Sequence, residues 1–251
     1  MSHEFMNNKI DVFISSQSFQ EEELRDKTAV VVDVLRASST MITALHNRAK
    51  GVIPVADMGD ASKISQNLDS PHYLLCGEKD GVKIEGYDLG NSPLDYDGEK
   101  VEDKTIILNT TNGTKAIKRA GLADRVLIGS FLNLRTLITD LEKVETDIVL
   151  VCAGWKGRLA LEDLLCAGNI IYELTDGILP HNVQDGAKVA FGLYEKFGDD
   201  IEQAVKTSNY AVRLKDLVSE EDIAYCCQRN KMQVLPVMKE GIISDFYGKE
   251  K

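Results

Sequence analysis

"TIILNTTNGTKAI", residues 105–117, can be read in two ways, and the choice between them sets the fold. Asn112-Gly113 readily takes the positive φ angles of a type I′ turn, which would make the stretch one arm of a β-hairpin. A hairpin requires a second alternating strand, and none follows. "TKAIKRAG" instead puts Ala116, Ile117 and Ala120 at helical spacing and Gly121 where a C-cap belongs. The stretch is therefore strand, polar loop and helix N-terminus, an arrangement that turns free backbone N–H groups toward an anion.

The same unit recurs along the chain. "AVVVDVLRASSTMITALHN", "RVLIGSFLNLRTLITDLEK" and "DIVLVCAGWKGRLALEDLLCAGNIIYEL" each pass from a β-branched run through a polar junction into an amphipathic helix. Continuous Val/Ile/Leu runs mark strands buried on both faces, and helices between them imply parallel crossovers. The expected fold is α/β, with a mostly parallel sheet or sheets and helices packed on both faces. "GVIPV" (51–55) and "YLLCGE" (73–78) add shorter strands. Past about residue 175 the pattern turns helical, over 184–197, 200–208 and 219–229, the last opened by Ser219 with Asp222 three residues on, close to a capping box. No Pro- or Ser-rich linker interrupts the chain. Residues 1–140 are expected as an α/β part carrying the anion loop and 141–251 as an α/β-to-helical part, closely packed, with the functional site between them.

With 251 residues and 43% hydrophobic content the chain can bury a substantial core. Its net charge of -11 is spread along the sequence, which argues against a general affinity for nucleic acid or anionic membrane. An anionic substrate would then need positive charge supplied locally, by Arg, Lys, helix ends or a bound cation. Cys76, Cys152, Cys166, Cys226 and Cys227 form an odd set without a C-x-x-C pair, so buried thiols are expected rather than disulfides or a zinc site. "MSHEFMNNKI" lacks the regions of a signal peptide, and no apolar run approaches the roughly 20 residues of a membrane span, so a cytoplasmic location is expected. Monomer and homodimer both stay open.

Ligands of open α/β sheets bind beyond the carboxyl ends of the strands, so the four junctions can converge. Asp33 directly follows the apolar run Ala29 to Val32, where it could ligate a metal, act as a base, or cap the next helix. Arg36 places a guanidinium in a first helical turn, against the dipole, a cost explained if it grips a phosphate. Glu78 leaves the strand "YLLC" for a long Gly-rich segment and is the best-placed carboxylate there, ahead of Glu85 and Asp88. Asn109, Thr110, Thr111, Asn112, Gly113 and Thr114 make the anion loop, with Lys115 beside it, and Ser130 and Asn133 come from the third junction. The fourth runs from Cys152 to Asp163. Cys152 and Arg158 have the C-x5-R spacing of cysteine-dependent phosphatases, although Val151 and Leu159 stand where that motif has His and Ser/Thr. Glu162 and Asp163 are adjacent acids in a first helical turn, opposing the dipole or, with Asp33, holding a metal.

Taken together, "DVLRASST", "GEKDGVKIEGYDLGNSP", "NTTNGTKAI", "GSFLNL", "CAGWKGRLALEDLLCAG" and "VQDGAKVA" resemble the signature segments of the 2-phosphosulfolactate phosphatase family, in order from about residue 31 to 192 and more weakly into "EEDIAYCCQRN". The resemblance implies an architecture peculiar to that family and Mg2+-dependent hydrolysis of (R)-2-phospho-3-sulfolactate to 3-sulfolactate and phosphate, in coenzyme M biosynthesis. Asp33 and Arg36, the 109–114 loop, and Glu162 with Asp163 fall on its segments. Chemistry then suggests Asp33, Arg36, Asn112 and Glu162 for catalysis, and Asp33, Glu78, Glu162 and Asp163 as candidate metal ligands. Mg2+ takes about six oxygens, several of them water, around one or two carboxylates and a phosphate oxygen. Arg36, Lys115, Lys156 and Arg158 would offset substrate charge, with a metal-bound water as nucleophile and the loop amides as oxyanion cradle. Two alternatives remain: a thiolate mechanism through Cys152 and Arg158, and a non-catalytic module binding a phosphorylated or sulfonated metabolite.

Overall fold

The computed structural model describes residues 8–68, 72–213 and 219–248. The chain opens with β1 (Ile10–Phe13), β2 (Lys27–Val32), α1 (Ala37–His46), β3 (Gly51–Val55), α2 (Met58–Ser65), β4 (Tyr73–Lys79) and β5 (Val82–Lys83). It continues through α3 (Gly98–Val101), β6 (Thr105–Asn109), α4 (Gly113–Arg119), β7 (Arg125–Gly129), α5 (Leu134–Leu141), β8 (Asp147–Cys152) and α6 (Leu161–Leu174). A helical stretch follows, α7 (Asp185–Phe197), α8 (Ile201–Lys206), α9 (Asn209–Arg213) and α10 (Glu220–Cys226), before β9 (Pro236–Lys239) and β10 (Ile242–Asp245) close the described chain.

All ten strands among the described residues join one mixed, mostly parallel sheet in the order β1-β8-β2-β7-β9-β10-β3-β6-β4-β5. The four recurrent units of the sequence are β2–α1, β6–α4, β7–α5 and β8–α6. β1, β8, β2 and β7 form one parallel block, and β3, β6 and β4 a second. The hairpin β9–β10 joins them by antiparallel pairing on both sides, over two residue pairs to β7 and one to β3. Strands of the same sheet therefore come from both 1–140 and 141–251.

Continuous apolar runs do what two covered faces require. In β2, Val30 and Val32 enter a cluster with Leu137 of α5, Leu165 and Ile170 of α6, and Phe191 of α7. Ala29 and Val31 point the other way, into a cluster with Met41 and Ile42 of α1, Ile117 of α4 and Ile106 and Leu108 of β6. Each fully buried Val, Ile or Leu contributes about 1.5–3 kcal/mol, so the two clusters together hold helices on both faces. All five cysteines are free and buried, as the sequence suggested.

The structure adds to the sequence reading and corrects it. β1 and the hairpin β9–β10 were not foreseen, so the C-terminal part is not helical to its end. Glu240 and Gly241 both have positive φ (52° and 81°), the turn geometry of a tight hairpin, although Glu gives little sign of it. The last helix stops at Cys226, short of 229, and Gly121 lies inside a 3-10 turn, Ala120–Leu122, instead of capping α4.

Candidate active site

Asp33 sits where β2 gives way to α1, and backbone bonds fix it there. Its N–H donates to Ser38 Oγ (2.9 Å), its carbonyl accepts from Ser38 N–H (2.9 Å), and Oδ1 accepts from Ala37 N–H at 3.3 Å. Asp33 thus steadies the start of α1 from beyond its N-cap, Arg36, and this does not exclude a second role, because Oδ2 receives no hydrogen bond among the described residues. That oxygen faces Gly113, the first residue of α4. Strand twist accumulates at roughly 20–25° per strand, and the close approach shows that the end of β6 comes round to the end of β2.

Two more carboxylates reach the same place from the first turn of α6. Asp163 accepts from Val34 N–H (2.9 Å) through Oδ1 and from Gly154 N–H (3.1 Å) through Oδ2, tying the ends of β2 and β8 together. Glu162 is 1% exposed, and its Oε2 is buried without a partner among the described residues. Asp33, Asn112, Gly154, Trp155, Glu162 and Asp163 line one small cleft, with about 10 Å³ of room, roughly the measure of a single water.

Burial dominates the electrostatics. It pushes the Asp33 carboxyl up to about 7, opposed by the Ala37 N–H and reinforced by Glu78 and Glu162, with Arg36 pulling it back. Glu162 is likewise raised to about 7 by burial, with Ser208 acting to lower it. Asp163 is held well above the usual carboxylate range by burial and by its two acidic neighbours. Three acids crowded out of water favour either protons or a cation between them. Among the described residues no three His, Cys, Asp or Glu side chains are grouped as a ready cage for a metal ion. Mg2+ needs only one or two carboxylates beside water and substrate oxygens, and the unpartnered oxygens of Asp33 and Glu162 fit that demand.

The remaining candidates divide by what already engages them. Glu78 accepts from Thr111 N–H (2.7 Å), Thr111 Oγ1 (3.0 Å) and Gly81 N–H (2.6 Å), so it braces the 110s turn. Thr110 and Thr114 bond each other: Thr114 N–H donates to Thr110 Oγ1 (3.1 Å), and Thr114 Oγ1 donates to the Thr110 carbonyl (2.9 Å). Of the anion loop, the N–H groups of Asn112 and Gly113 have no acceptor among the described residues, while Asn109 is buried at the end of β6. Ser130 and Asn133 lie fully buried in a reciprocal cap, Ser130 N–H donating to Asn133 Oδ1 (3.0 Å), and do not line the cleft. Lys115, Lys156 and Arg158 are exposed. Lys156 and Arg158 flank the cleft on a turn closed by paired backbone bonds between Trp155 and Arg158, with Lys156 Nζ 5.3 Å from the Trp155 ring centre.

Arg36 follows the cis Leu35–Arg36 peptide and is buried. Its Nη1 donates to Asp222 Oδ2 at 2.9 Å and its Nη2 to the Gly81 carbonyl at 3.4 Å. Cys152 faces the α6 side of the sheet in the core, and burial with Asp163 nearby drives its thiol well above the ordinary range. A thiolate nucleophile needs the opposite surroundings.

Sequence reasoning missed Asp222, Ser92 and Ser208, and the Trp155 wall. Only Asp222 had left a signal, its spacing from Ser219, and that spoke for a cap, which the Ser219 Oγ to Asp222 N–H contact (3.0 Å) confirms.

A cleft of buried acids and unpaired amides, set at strand ends of an α/β frame, is the candidate active site. The chain belongs to the 2-phosphosulpholactate phosphatase family, whose sequence profile matches residues 13–241. It is 38% identical over 234 residues to a probable 2-phosphosulfolactate phosphatase of Caldanaerobacter subterraneus, covering 93% of this chain and 97% of the relative. Proteins of the same description from Clostridium perfringens (41% over 237 residues; 94% and 95% covered) and Thermotoga petrophila (42% over 216; 86% and 91%) are similar to it. No helix among the described residues is long and apolar enough to cross a membrane.

Proposed function

We propose that this enzyme hydrolyses (R)-2-phospho-3-sulfolactate to 3-sulfolactate and phosphate with the help of Mg2+, as a step of coenzyme M biosynthesis. The observation that carries the chemistry is the orphaned Oε2 of Glu162 beside Asp33 in one water-sized cleft. The substrate is supported by the relatives, each a probable 2-phosphosulfolactate phosphatase.

Asp33 and Glu162 would hold the ion, with Asp163 behind them fixing the strand ends. Bound there, it supplies Lewis-acid charge and lowers the pKa of water. The chain's own groups account for the rest. With Asp33 Oδ2 given to the ion, the attacking water passes its proton to solvent, its oxygen bonds to phosphorus as the ester P–O bond breaks, and the leaving alkoxide takes a proton back from solvent. Asn112, through its side-chain amide and free N–H, and the Gly113 N–H donate to the phosphoryl oxygens where charge gathers. Arg36 offers its unpaired N–H groups to the phosphate, and Lys115, Lys156 and Arg158 offset the sulfonate and carboxylate. A net charge of -11 makes such local cations necessary.

The deciding experiment measures phosphate release from phosphosulfolactate and from simple phosphate monoesters, with Mg2+ and with EDTA. Mg2+-dependent release favouring the sulfonated ester is expected. Equal rates on all esters would remove the substrate assignment, and full activity in EDTA would remove the ion.

A further inference from the structure

Arg36 is held at a fixed place by a residue from the far end of the chain. Asp222, 3% exposed in the first turn of α10, accepts from Arg36 Nη1 at Oδ2 (2.9 Å) and from Ser92 Oγ at Oδ1 (2.5 Å). Both side chains of the ion pair are buried, at 7% and 4% exposure. A guanidinium has five N–H donors in a rigid fork. Among the described residues only two carbonyl or carboxylate oxygens accept from Arg36, one of them at 3.4 Å, so part of the fork is open. Arg36 directly follows Leu35, which lines the cleft, and its charge acts on the Asp33 carboxyl there.

A buried ion pair is weak support for stability, because desolvating two charges offsets much of their attraction. Such a pair does fix direction, since Ser92 pins one Asp222 oxygen and leaves the other a single way to meet Arg36. We infer that Asp222, braced by Ser92, is a positioning residue that aims Arg36 at the substrate's phosphate. The inference rests on the reading of Arg36 as an anion contact.

The test uses the full chain with Mg2+, a phosphate monoester as substrate and inorganic phosphate as competitive inhibitor. Supporting partners of site ligands typically cost about 10- to 100-fold when removed. Asp222→Asn is expected to raise KM and the phosphate inhibition constant at least about tenfold, Ser92→Ala to raise both by less, and Asp222→Glu to recover part of the loss. In an Arg36→Ala background, Asp222→Asn should change neither constant beyond about twofold, because it acts through the missing group. A wild-type phosphate constant in folded Asp222→Asn, alongside a weakened Arg36→Ala, would make the pair a mere clasp between α10 and the β2–α1 join and overturn the inference. A wild-type phosphate constant in Arg36→Ala would overturn the underlying reading instead. Should Asp222→Asn fail to fold, Ser92→Ala decides: an unchanged constant there also overturns the positioning role.

Discussion

Gly113 and Asp33 touch in the one way their residue types allow: a Cβ at position 113 would stand 2.6 Å from Asp33 Oδ2 and 2.5 Å from Ala37 Cβ. Gly113→Ala must therefore displace the carboxylate or the start of α1. Overpacking of this kind costs about 1–3 kcal/mol. We expect that loss in urea unfolding together with a fall in kcat of at least about tenfold. Wild-type kcat with the stability loss would show that Asp33 tolerates displacement and is not needed to hold the ion.

The acid cluster should give metal-free protein an unusual pH dependence. Asp33 and Glu162 are raised to about 7 in the fold from ordinary values of 3.8 and 4.5. Between about pH 4 and 7 the folded state then binds more protons than the unfolded one, so stability from these groups falls as pH rises through that window. Melting temperatures in EDTA should drop from pH 5 to pH 8, and Glu162→Gln should flatten the slope. Mg2+ should raise the melting temperature more at pH 8 than at pH 5, since it binds the ionised acids. A flat profile in the wild type would contradict the burial-driven shifts.

Cysteine chemistry and metal chemistry separate cleanly. Cys152 lies wholly within the core, so Cys152→Ala should cost stability through a small cavity while keeping kcat within a few fold. EDTA should abolish turnover in both proteins. Loss of turnover in well-folded Cys152→Ala would return the thiol to the mechanism.

Within the 110s turn, neighbours should behave differently. Thr111 is a brace, its hydroxyl donating to Glu78 at 3.0 Å, and Thr111→Ala should cost about 1.5–3 kcal/mol of stability, the range for a hydrogen bond to a charged group. Asn112 lines the cleft and makes no side-chain cap, so Asn112→Ala should leave the melting temperature nearly unchanged and lower kcat/KM by roughly tenfold or more. Steady-state kinetics beside thermal melts would expose a reversal of the two.

The strand-to-helix units were legible because their signal is local. "AVVVD" and "TIILN" are buried on both faces: residues of the first alternate between the two large cores, and in the second Ile106 and Leu108 join one of these while Ile107 enters a smaller cluster with Val55 and Ala61. The hairpin β9–β10 was not legible: its four-residue strands are partly polar, the first begins with Pro236, and Glu240-Gly241 is a weak turn signature. Around the site, Asp33, Glu162 and Asp163 could be found as acids at strand ends. The sequence could not reveal that Glu78 braces a turn or that Asp222 meets Arg36 across 186 residues, since such partners depend on how the sheet coils.

The hairpin β9–β10 is the keystone between two parallel blocks, yet it follows every other described strand in the chain. On the ribosome, β7 and β3 emerge long before the strands that will join them, each with a row of unpaired backbone groups along its inner border. A nascent chain stalled before residue 236 carries two half-sheets with open edges, so pairing of those edges with other chains is the hazard that the hairpin removes.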